Sequence, residues 1–170
     1  GHIGESTTMT LVPQVVDAVH IPVIAAGGMA DGRGIAAAFM LGAKGVQMGT
    51  VFIPTTECQV HENYKDQVVK AKDIDTRVTG RSTGHPVRVL RNEVTREYME
   101  KEKAGATFEE LEMLTLGGLR RAVQEGDVKR GSVMAGQSAG LVRDKISCQE
   151  LIDRLVKETD ALLKGTGIYA

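Results

Sequence analysis

The chain has 170 residues, of which 42% are hydrophobic and 25% are charged, and its formal net charge is −1. These values are typical of a globular domain, and the near-neutral charge argues against nucleic acid or an anionic membrane as the main partner. No apolar run approaches the roughly 20 residues that span a bilayer, and the opening GHIGESTTMT lacks the pattern of a secretory signal, so we expect a cytoplasmic protein.

Neither the cysteines nor the histidines have the spacing of a metal site. Cys58 and Cys148 stand far apart without a CxxC pair, and we interpret them as reduced thiols. His20, His61 and His85 form no HxxxH pair, so we predict no metal. We interpret His20 and His61 as surface residues and expect His85, which precedes a proline, in a loop near the site.

The first fifty residues alternate between helix and strand. Apolar residues recur with helical spacing from Leu11 to Val19, and Pro13 fits this helix if it lies in the first turn. The run from Val23 to Ala26 predicts a strand buried on both faces, and Gly45 to Met48 predicts a second one. This order, with short connections, is typical of a parallel sheet.

The connection between the two strands also reads as a helix. Asp31 is the expected N-cap, and the helix should continue to Leu41 and end at Gly42.

The remainder of the chain is mostly helical in pattern. Polar helices are expected at 61–72 and 92–103, with short strands or extended segments at 76–80 and 87–90. Thr107 with Glu110 and Ser147 with Glu150 have the spacing of capping boxes ahead of two more helices. The buried stripe of the last helix is predicted to contain Ile146, Leu151, Ile152, Leu155, Val156, Leu162 and Leu163.

A sheet of two parallel strands cannot bury its faces or satisfy its edges alone. The chain also opens directly on Gly1-His2-Ile3-Gly4. We therefore expect this sequence to be the back half of a larger protein.

Glycines follow both predicted parallel strands. Gly27-Gly28 ends the first, and Met48-Gly49-Thr50 ends the second. Bare amides at these tips, with the positive end of the following helix, would form an anion site. Since the loops after strands seven and eight of (β/α)₈ barrels bind phosphate, we predict a phosphate there; the alternative is that the glycines merely permit tight turns.

His2 lies in a short Gly-His-Ile-Gly loop from which its side chain can reach a ligand. An imidazole can hold or pass a proton near neutral pH, so His2 is a candidate catalytic residue. A loop histidine with no chemical role is the alternative.

These residues resemble the FMN-dependent enzymes related to nitronate monooxygenase, and most closely their bacterial branch, enoyl-acyl-carrier-protein reductase II. The similarity covers nearly the whole chain. Its segments are GHIGE, TTMTLVPQVVDAV, IPVIAAGGMADGRG, LGAKGVQMGT, NYKDQVVKAKDIDT, VRVLRNEVTREY and GDVKRGSVMAGQSAGLV.

The resemblance implies the C-terminal part of a (β/α)₈ TIM barrel, an α/β fold. Strands seven and eight and the loop after strand six would lie in residues 1–52, which carry the phosphate loops. A helical insertion, or lid, would occupy residues 53–130, and the C-terminal barrel helices would occupy residues 131–170.

The resemblance also implies roles for named residues. His2 would face the flavin and the substrate. Gln137, with Met134 and Ala135 beside it, would help to shape the pocket; the alternative is that these residues only pack at the start of a late helix. The FMN phosphate would be bound by Gly27, Gly28, Gln47, Met48, Gly49 and Thr50.

The reaction implied is reduction of a trans-2-enoyl-acyl-carrier protein by NADH or NADPH through FMN, in fatty acid synthesis. The alternatives are a nitronate monooxygenase that uses FMN and O₂ and a non-enzymatic phosphate-binding module. Expected partners are the acyl-carrier protein, the N-terminal half of the barrel and a second copy in a homodimer. Basic residues of the insertion would meet the acidic carrier, or would only form a solvated helix face: Arg88, Arg91, Arg96, Lys101 and Lys103.

Overall fold

The computed structural model describes residues 2–165. Residue 1 and residues 166–170, which belong to the first and third predicted segments, lie outside the described residues. The helices are α1 Thr8–Ala18, α2 Gly32–Met40, α3 Glu62–Lys70, α4 Glu93–Lys103, α5 Phe108–Thr115, α6 Gly118–Gln124 and α7 Cys148–Gly165. The strands are β1 Ile24–Ala26, β2 Gly45–Gln47, β3 Thr76–Thr79 and β4 Val87–Leu90, and 3₁₀ turns lie at Thr50–Phe52 and Gln137–Leu141.

Strands β1 and β2 pair in parallel, with Ile24 opposite Gly45 and Ala26 opposite Gln47. This confirms the predicted parallel pair and the helix between its strands. The prediction that both faces are buried is wrong: Ala25 is 2% exposed, but Ile24 is 56% exposed. The face of β1 that carries Ile24 is bare because no layer of the described chain covers it, whereas helices α1 and α2 cover the face that carries Ala25.

Helix α2 begins and ends as predicted. The Asp31 carboxylate accepts hydrogen bonds from the amides of Arg33 and Gly34 at 3.0 and 3.4 Å, and Gly42 has a φ of 96° beyond the helix end. A Cβ at Gly42 would lie 2.9 Å from Val16 Cγ1, so this turn packs closely on α1.

Helix α1 starts earlier than the apolar spacing suggested. Its N-cap is Thr7, which makes Pro13 the sixth helical residue, not a first-turn residue. The expectation for Pro13 is therefore wrong, because the polar Thr8 and Thr10 add a turn that hydrophobic periodicity does not detect. The proline removes one intrahelical bond, to the carbonyl of Met9.

The segment 53–130 contains a β-hairpin among its helices. Strands β3 and β4 pair antiparallel, with Thr76 opposite Leu90 and Thr79 opposite Val87. On the other edge of β4, Met134 forms a bridge with Val89. The hairpin is thus fastened to the chain that follows α6.

The capping boxes of α5 and α7 are both present. The Thr107 hydroxyl accepts from the Glu110 amide and the Glu110 carboxylate accepts from the Thr107 amide. Ser147 and Glu150 make the same reciprocal pair at 3.2 and 2.8 Å.

Helix α7 packs on α2 at one point of very close approach. The Gly32 amide donates to Glu158 Oε2 at 2.9 Å, and a Cβ at Gly32 would lie 2.4 Å from Glu158 Cβ. On α7 the buried residues are Leu151, Leu155 and Thr159.

The predicted stripe on α7 was too wide. Ile152 and Val156 are 45% and 56% exposed. Each lies one residue, or about 100° of helical turn, beyond the buried row, and only that row faces α2.

The largest group of buried apolar residues is shared by all three predicted segments. It includes Ile35, Val51, Val68, Leu90, Val133 and Leu151. Residues 53–130 therefore pack on the same core as their neighbours, and the predicted domain boundaries stay a prediction. Among residues 2–165, no helix is both long and apolar enough to cross a bilayer.

Candidate functional site

The two glycine loops leave the same edge of the parallel sheet. Gly27 follows Ala26, and Met48 follows Gln47, the residue paired with Ala26. Neighbouring strands lie about 4.8 Å apart, so the two loops begin side by side. Gly27, Gly28, Gln47 and Gly49 are all exposed at this edge. The sheet therefore brings together the residues predicted for the phosphate site.

The glycines in these loops have two different explanations. Gly27 and Gly28 have φ values of 102° and 80°, which residues with a side chain rarely adopt, so the tight turn alone explains them. Gly49 has a φ of −112°, and a Cβ built on it would meet no atom within 4 Å. Nothing in the described chain requires a glycine at position 49, which is what a ligand in that space would explain.

The N-terminus of α2 does not add free donors to this edge. Its first amides, at Gly32, Arg33 and Gly34, donate to the carboxylates of Glu158 and Asp31. The expectation that the positive end of this helix completes the anion site is therefore wrong. Two carboxylates already satisfy it, and the hydrogen bond from Arg33 holds the pKa of Asp31 below its ordinary value.

Thr50 links the second loop to a late segment of the chain. Its Oγ1 accepts a hydrogen bond from the Gly136 amide at 2.9 Å. The hydroxyl hydrogen can then point elsewhere, including towards an anion at the strand tips. Gln137 follows Gly136 at the start of a 3₁₀ turn and is exposed, so the predicted pocket residue lies beside the second loop.

Thr8 holds the first loop, and the sequence analysis missed it. Its hydroxyl donates to the Gly27 carbonyl at 3.0 Å. This contact ties the start of α1 to the tip of β1. Threonine at a helix start is common for local capping, so the sequence carries no signal for a partner 19 residues away.

His2 does not join the strand-tip residues directly; it lies against the hairpin. It forms a bridge with Val87, and the Ile3 amide donates to the Pro86 carbonyl at 3.0 Å. The rings of His2 and His85 are 6.4 Å apart, edge to face. The expectation that His85 lies near the predicted catalytic histidine agrees with this arrangement.

The edge of β4 places His2 next to the segment that leads to Gly136. Val87 bridges His2, and Val89, two residues on, bridges Met134. Tyr64 fixes Met134 from the other side, since its hydroxyl donates to the Met134 carbonyl at 2.6 Å. Burial raises the pKa of Tyr64 to about 12, which keeps this donor protonated.

A cavity of about 320 Å³ lies between the hairpin and helices α4 and α5. His85 and Val87, which both lie against His2, contribute to its wall, so the cavity is next to His2. This cavity was not predicted from the sequence, because the elements that form it are separate along the chain. Most of its lining is apolar or a threonine.

His61 and Arg88 have local partners. His61, predicted to be a surface residue, is half-buried and caps α3, where its Nδ1 accepts from the Asn63 amide at 3.1 Å. Arg88 donates to Thr76 Oγ1, and burial lowers its pKa. Across residues 2–165, no three His, Cys, Asp or Glu side chains cluster as a metal ion would require.

Comparison with known proteins identifies the relatives of this fold. The family model described as nitronate monooxygenase matches residues 1–158. The chain belongs to the nitronate monooxygenase family. Members of this family are flavin-dependent oxidoreductases. The enzyme prediction is confirmed at this level.

The family contains relatives of two kinds. A probable nitronate monooxygenase of Staphylococcus saprophyticus is 38% identical over 92% of this chain and 44% of its own length. FabK of Thermotoga maritima is 51% identical, with a TM-score of 0.92, over 96% of this chain and 52% of its own. Nitroalkane oxidase of Streptomyces ansochromogenes is 31% identical, with a TM-score of 0.78, over 96% and 50%. The chain thus spans about half the length of these relatives.

The strand-tip loops fit the flavin on which this family depends. A phosphate needs open space and exposed amides, and the vacant volume at Gly28 and Gly49 supplies the space. Met48 packs against the hydrophobic core, so its contribution would come from its backbone.

Proposed function

We propose that this chain forms the phosphate-binding end and the histidine loop of an FMN-dependent reductase that reduces trans-2-enoyl-acyl-carrier protein with NADH or NADPH. The single observation that carries the proposal is the 51% identity to FabK at a TM-score of 0.92 over 96% of the chain. FabK is an enoyl-acyl-carrier-protein reductase II, which is the branch of the family that the sequence resembles.

In this proposal the strand tips bind the phosphate of FMN. Gly27, Gly28 and Gly49 would provide amides close to the oxygens, and Thr50 would add its hydroxyl. Bound flavin supplies the hydride-transfer chemistry, which no side chain of this protein can perform. The contribution of the strand tips is to fix the position of the cofactor.

His2 has the proton-handling role in this mechanism. Reduction of an enoyl thioester places negative charge on the thioester oxygen and requires a proton at the α-carbon. His2 is exposed and held by β4 through its backbone, which leaves its imidazole available for either task. A hydrogen bond of this kind lowers a barrier by roughly 2 to 4 kcal/mol.

Nitronate oxidation is the second candidate function. It is favoured by the family model over residues 1–158 and by the curated relatives, which are named probable nitronate monooxygenases. In that reaction His2 would act as the base or the anion partner of a nitroalkane or nitronate, with O₂ as the oxidant.

One pair of assays separates the two functions. The flavin-loaded enzyme that contains this chain is given crotonyl thioester with NADH or NADPH, and separately a nitronate with O₂. Thioester-dependent oxidation of the nicotinamide supports the reductase. Oxygen uptake with the nitronate and no thioester turnover would replace it with the monooxygenase, and a colourless protein active in neither assay would overturn both.

We also propose an acyl-carrier protein and a second copy of this chain as partners. Several basic residues near the hairpin have acidic neighbours: Arg91 lies 3.8 Å from Asp75, and Lys101 lies 3.9 Å from Glu97. A carrier would therefore meet mixed charges on this face, not a uniform basic patch. We propose that it docks near the cavity mouth, where the thioester must enter.

A further inference from the structure

We propose that the cavity between the β3–β4 hairpin and helices α4 and α5 binds the alkyl chain of a medium-chain acyl thioester while the thioester group lies at His2. This inference rests on the proposed reductase function and adds the position and length of the substrate chain.

The cavity wall is suited to a hydrocarbon. Its apolar members come from the hairpin, both helices and the segment after α6, and they include Val87, Val89, Val94, Phe108, Leu119 and Met134. Burial also raises the pKa of Tyr98 in this wall, so its phenol stays neutral. The carboxylate in the wall, Glu112, is exposed, so a charged ligand would find no fully buried charge here to pair with.

Three of the threonine hydroxyls in the wall are already engaged as donors. Thr83 donates to the Gly80 carbonyl at 3.0 Å, and Thr95 donates to the Leu90 carbonyl at 3.2 Å. Thr115 lies within 3.4 Å of the carbonyls of its own helix. In the part of the chain that the structure describes, no buried side-chain polar atom lacks a partner. A sugar or a nucleotide would have few donors waiting for it, whereas an alkyl chain needs none.

The cavity wall lies beside the candidate catalytic histidine. His85 forms part of the wall, and its ring is 6.4 Å from that of His2. Val87 lines the cavity and also bridges His2. A ligand with a reactive polar head and an apolar tail can therefore place the head at His2 and the tail in the cavity.

The cavity volume of about 320 Å³ is at the small end of ligand pockets, which range from about 300 to 1,000 Å³. This size suits one unbranched chain better than a whole cofactor. Each methylene buried from water should tighten binding about fourfold until the cavity is full.

The test measures equilibrium binding, so it does not depend on turnover. Saturated butyryl, hexanoyl and octanoyl thioesters of N-acetylcysteamine are titrated into the flavin-loaded enzyme by calorimetry. Thr115→Leu and Leu119→Phe each enlarge a partly exposed wall residue, so both variants should fold. Met113→Leu, on the outer face of α5 and outside the cavity lining, is the matched control.

The proposal expects affinity to rise with chain length in the unmodified enzyme and in Met113→Leu. In the two filled variants the octanoyl thioester should bind at least about tenfold more weakly, a loss of about two methylenes, with butyryl binding unchanged. Flat affinity across the series, or equal weakening of butyryl and octanoyl binding, would overturn it.

Failure of the cavity and failure of the proposed reaction give different results. A chain-length dependence without reduction of crotonyl thioester would keep the cavity and remove the reductase function. Reduction of crotonyl thioester without any chain-length dependence would keep the reductase and remove the cavity as its chain site.

Discussion

At the scale of single residues, Gly49 is stronger evidence for a bound ligand than Gly27 or Gly28. The turn itself accounts for the positive φ values of Gly27 and Gly28, whereas Gly49 has an ordinary backbone conformation and open space around it. From sequence alone the three glycines are equivalent. The difference between them depends on the path of the backbone, and therefore only the structure separates a turn glycine from a ligand glycine.

Gly49→Val tests the strand-tip site. The side chain meets no atom of the described chain, so the protein should fold, while its bulk would occupy the space proposed for the phosphate. We expect FMN affinity to fall at least about tenfold, or ~1.4 kcal/mol, measured by flavin absorbance after dialysis.

The control for this variant is Gly165→Val, at the end of α7, where a Cβ also meets no atom within 4 Å. It should retain flavin as the unmodified protein does. Tight flavin binding in Gly49→Val would exclude position 49 from the phosphate site.

His2→Ala tests the proton-handling role. The backbone bridge to Val87 does not need the imidazole, so the variant should still bind flavin, as measured by its visible absorption spectrum. Loss of a general acid or hydrogen-bond donor should lower turnover about 10²- to 10⁴-fold.

His20→Ala replaces an exposed histidine that no predicted role involves, and it should leave turnover unchanged. If His2→Ala turns over as fast as this control, His2 has no part in the mechanism.

At the scale of elements, the segment from Gly131 to Gly136 connects the two functional regions. Met134 bridges β4 beside the cavity, and the Gly136 amide donates to Thr50 at the strand tips. Tyr64 on α3 anchors this segment through the Met134 carbonyl. No local sequence pattern predicts the hydrogen bond between Tyr64 and Met134, because these residues are 70 positions apart.

Tyr64→Phe should destabilise the protein by about 1 to 3 kcal/mol, because it leaves the Met134 carbonyl without its donor. The free energy of unfolding, measured with urea at neutral pH, gives the size of the effect. A change indistinguishable from zero would mean that water replaces the phenol.

The raised pKa of Tyr64 predicts that the free energy of unfolding depends on pH in the alkaline range. The folded pKa of Tyr64, about 12, exceeds the ordinary value of 10.0, so folding favours the protonated phenol. Its contribution is complete below the ordinary value and is lost as pH rises towards the folded one. The stability difference between the unmodified protein and Tyr64→Phe should therefore shrink with rising pH over this window, with Tyr98 present in both proteins.

Helix starts were the most predictable elements. The predicted caps Asp31, Thr107 and Ser147 precede helices, and their side chains cap amides two or three residues away. Such contacts join residues that are close in sequence, so they can be predicted from the sequence. Edge pairing with β4 was not predictable in the same way, because it joins residues 2, 87, 89 and 134.

At the scale of the whole molecule, α2 and α7 meet at Gly32. The glycine lets Glu158 reach the first amide of α2, and this contact joins residues 126 positions apart. No structural role for Gly32 was predicted from the sequence. Its importance comes from the backbone of Thr159, which lies 2.7 Å from the position of an added Cβ and cannot rotate away as a side chain could.

Gly32→Ala should therefore lower the free energy of unfolding by about 1 to 3 kcal/mol, the usual cost of overpacking. Urea unfolding measures the loss. Ala37→Ser, at an exposed position of the same helix, should stay within about 0.5 kcal/mol of the unmodified protein. Equal stability of Gly32→Ala and this control would show that α7 can shift away from α2.

The amino-acid sequence by itself determined the parallel strand pair, three of the helix caps and the family, because these are expressed in periodicity, in neighbouring residues and in long ordered motifs. Only the tertiary structure decided that the Glu158 carboxylate binds the first amide of α2, that the face of β1 carrying Ile24 is bare, and that His2 lies beside an apolar cavity. These features arise from contacts between distant residues, and such contacts depend on how the elements pack against one another.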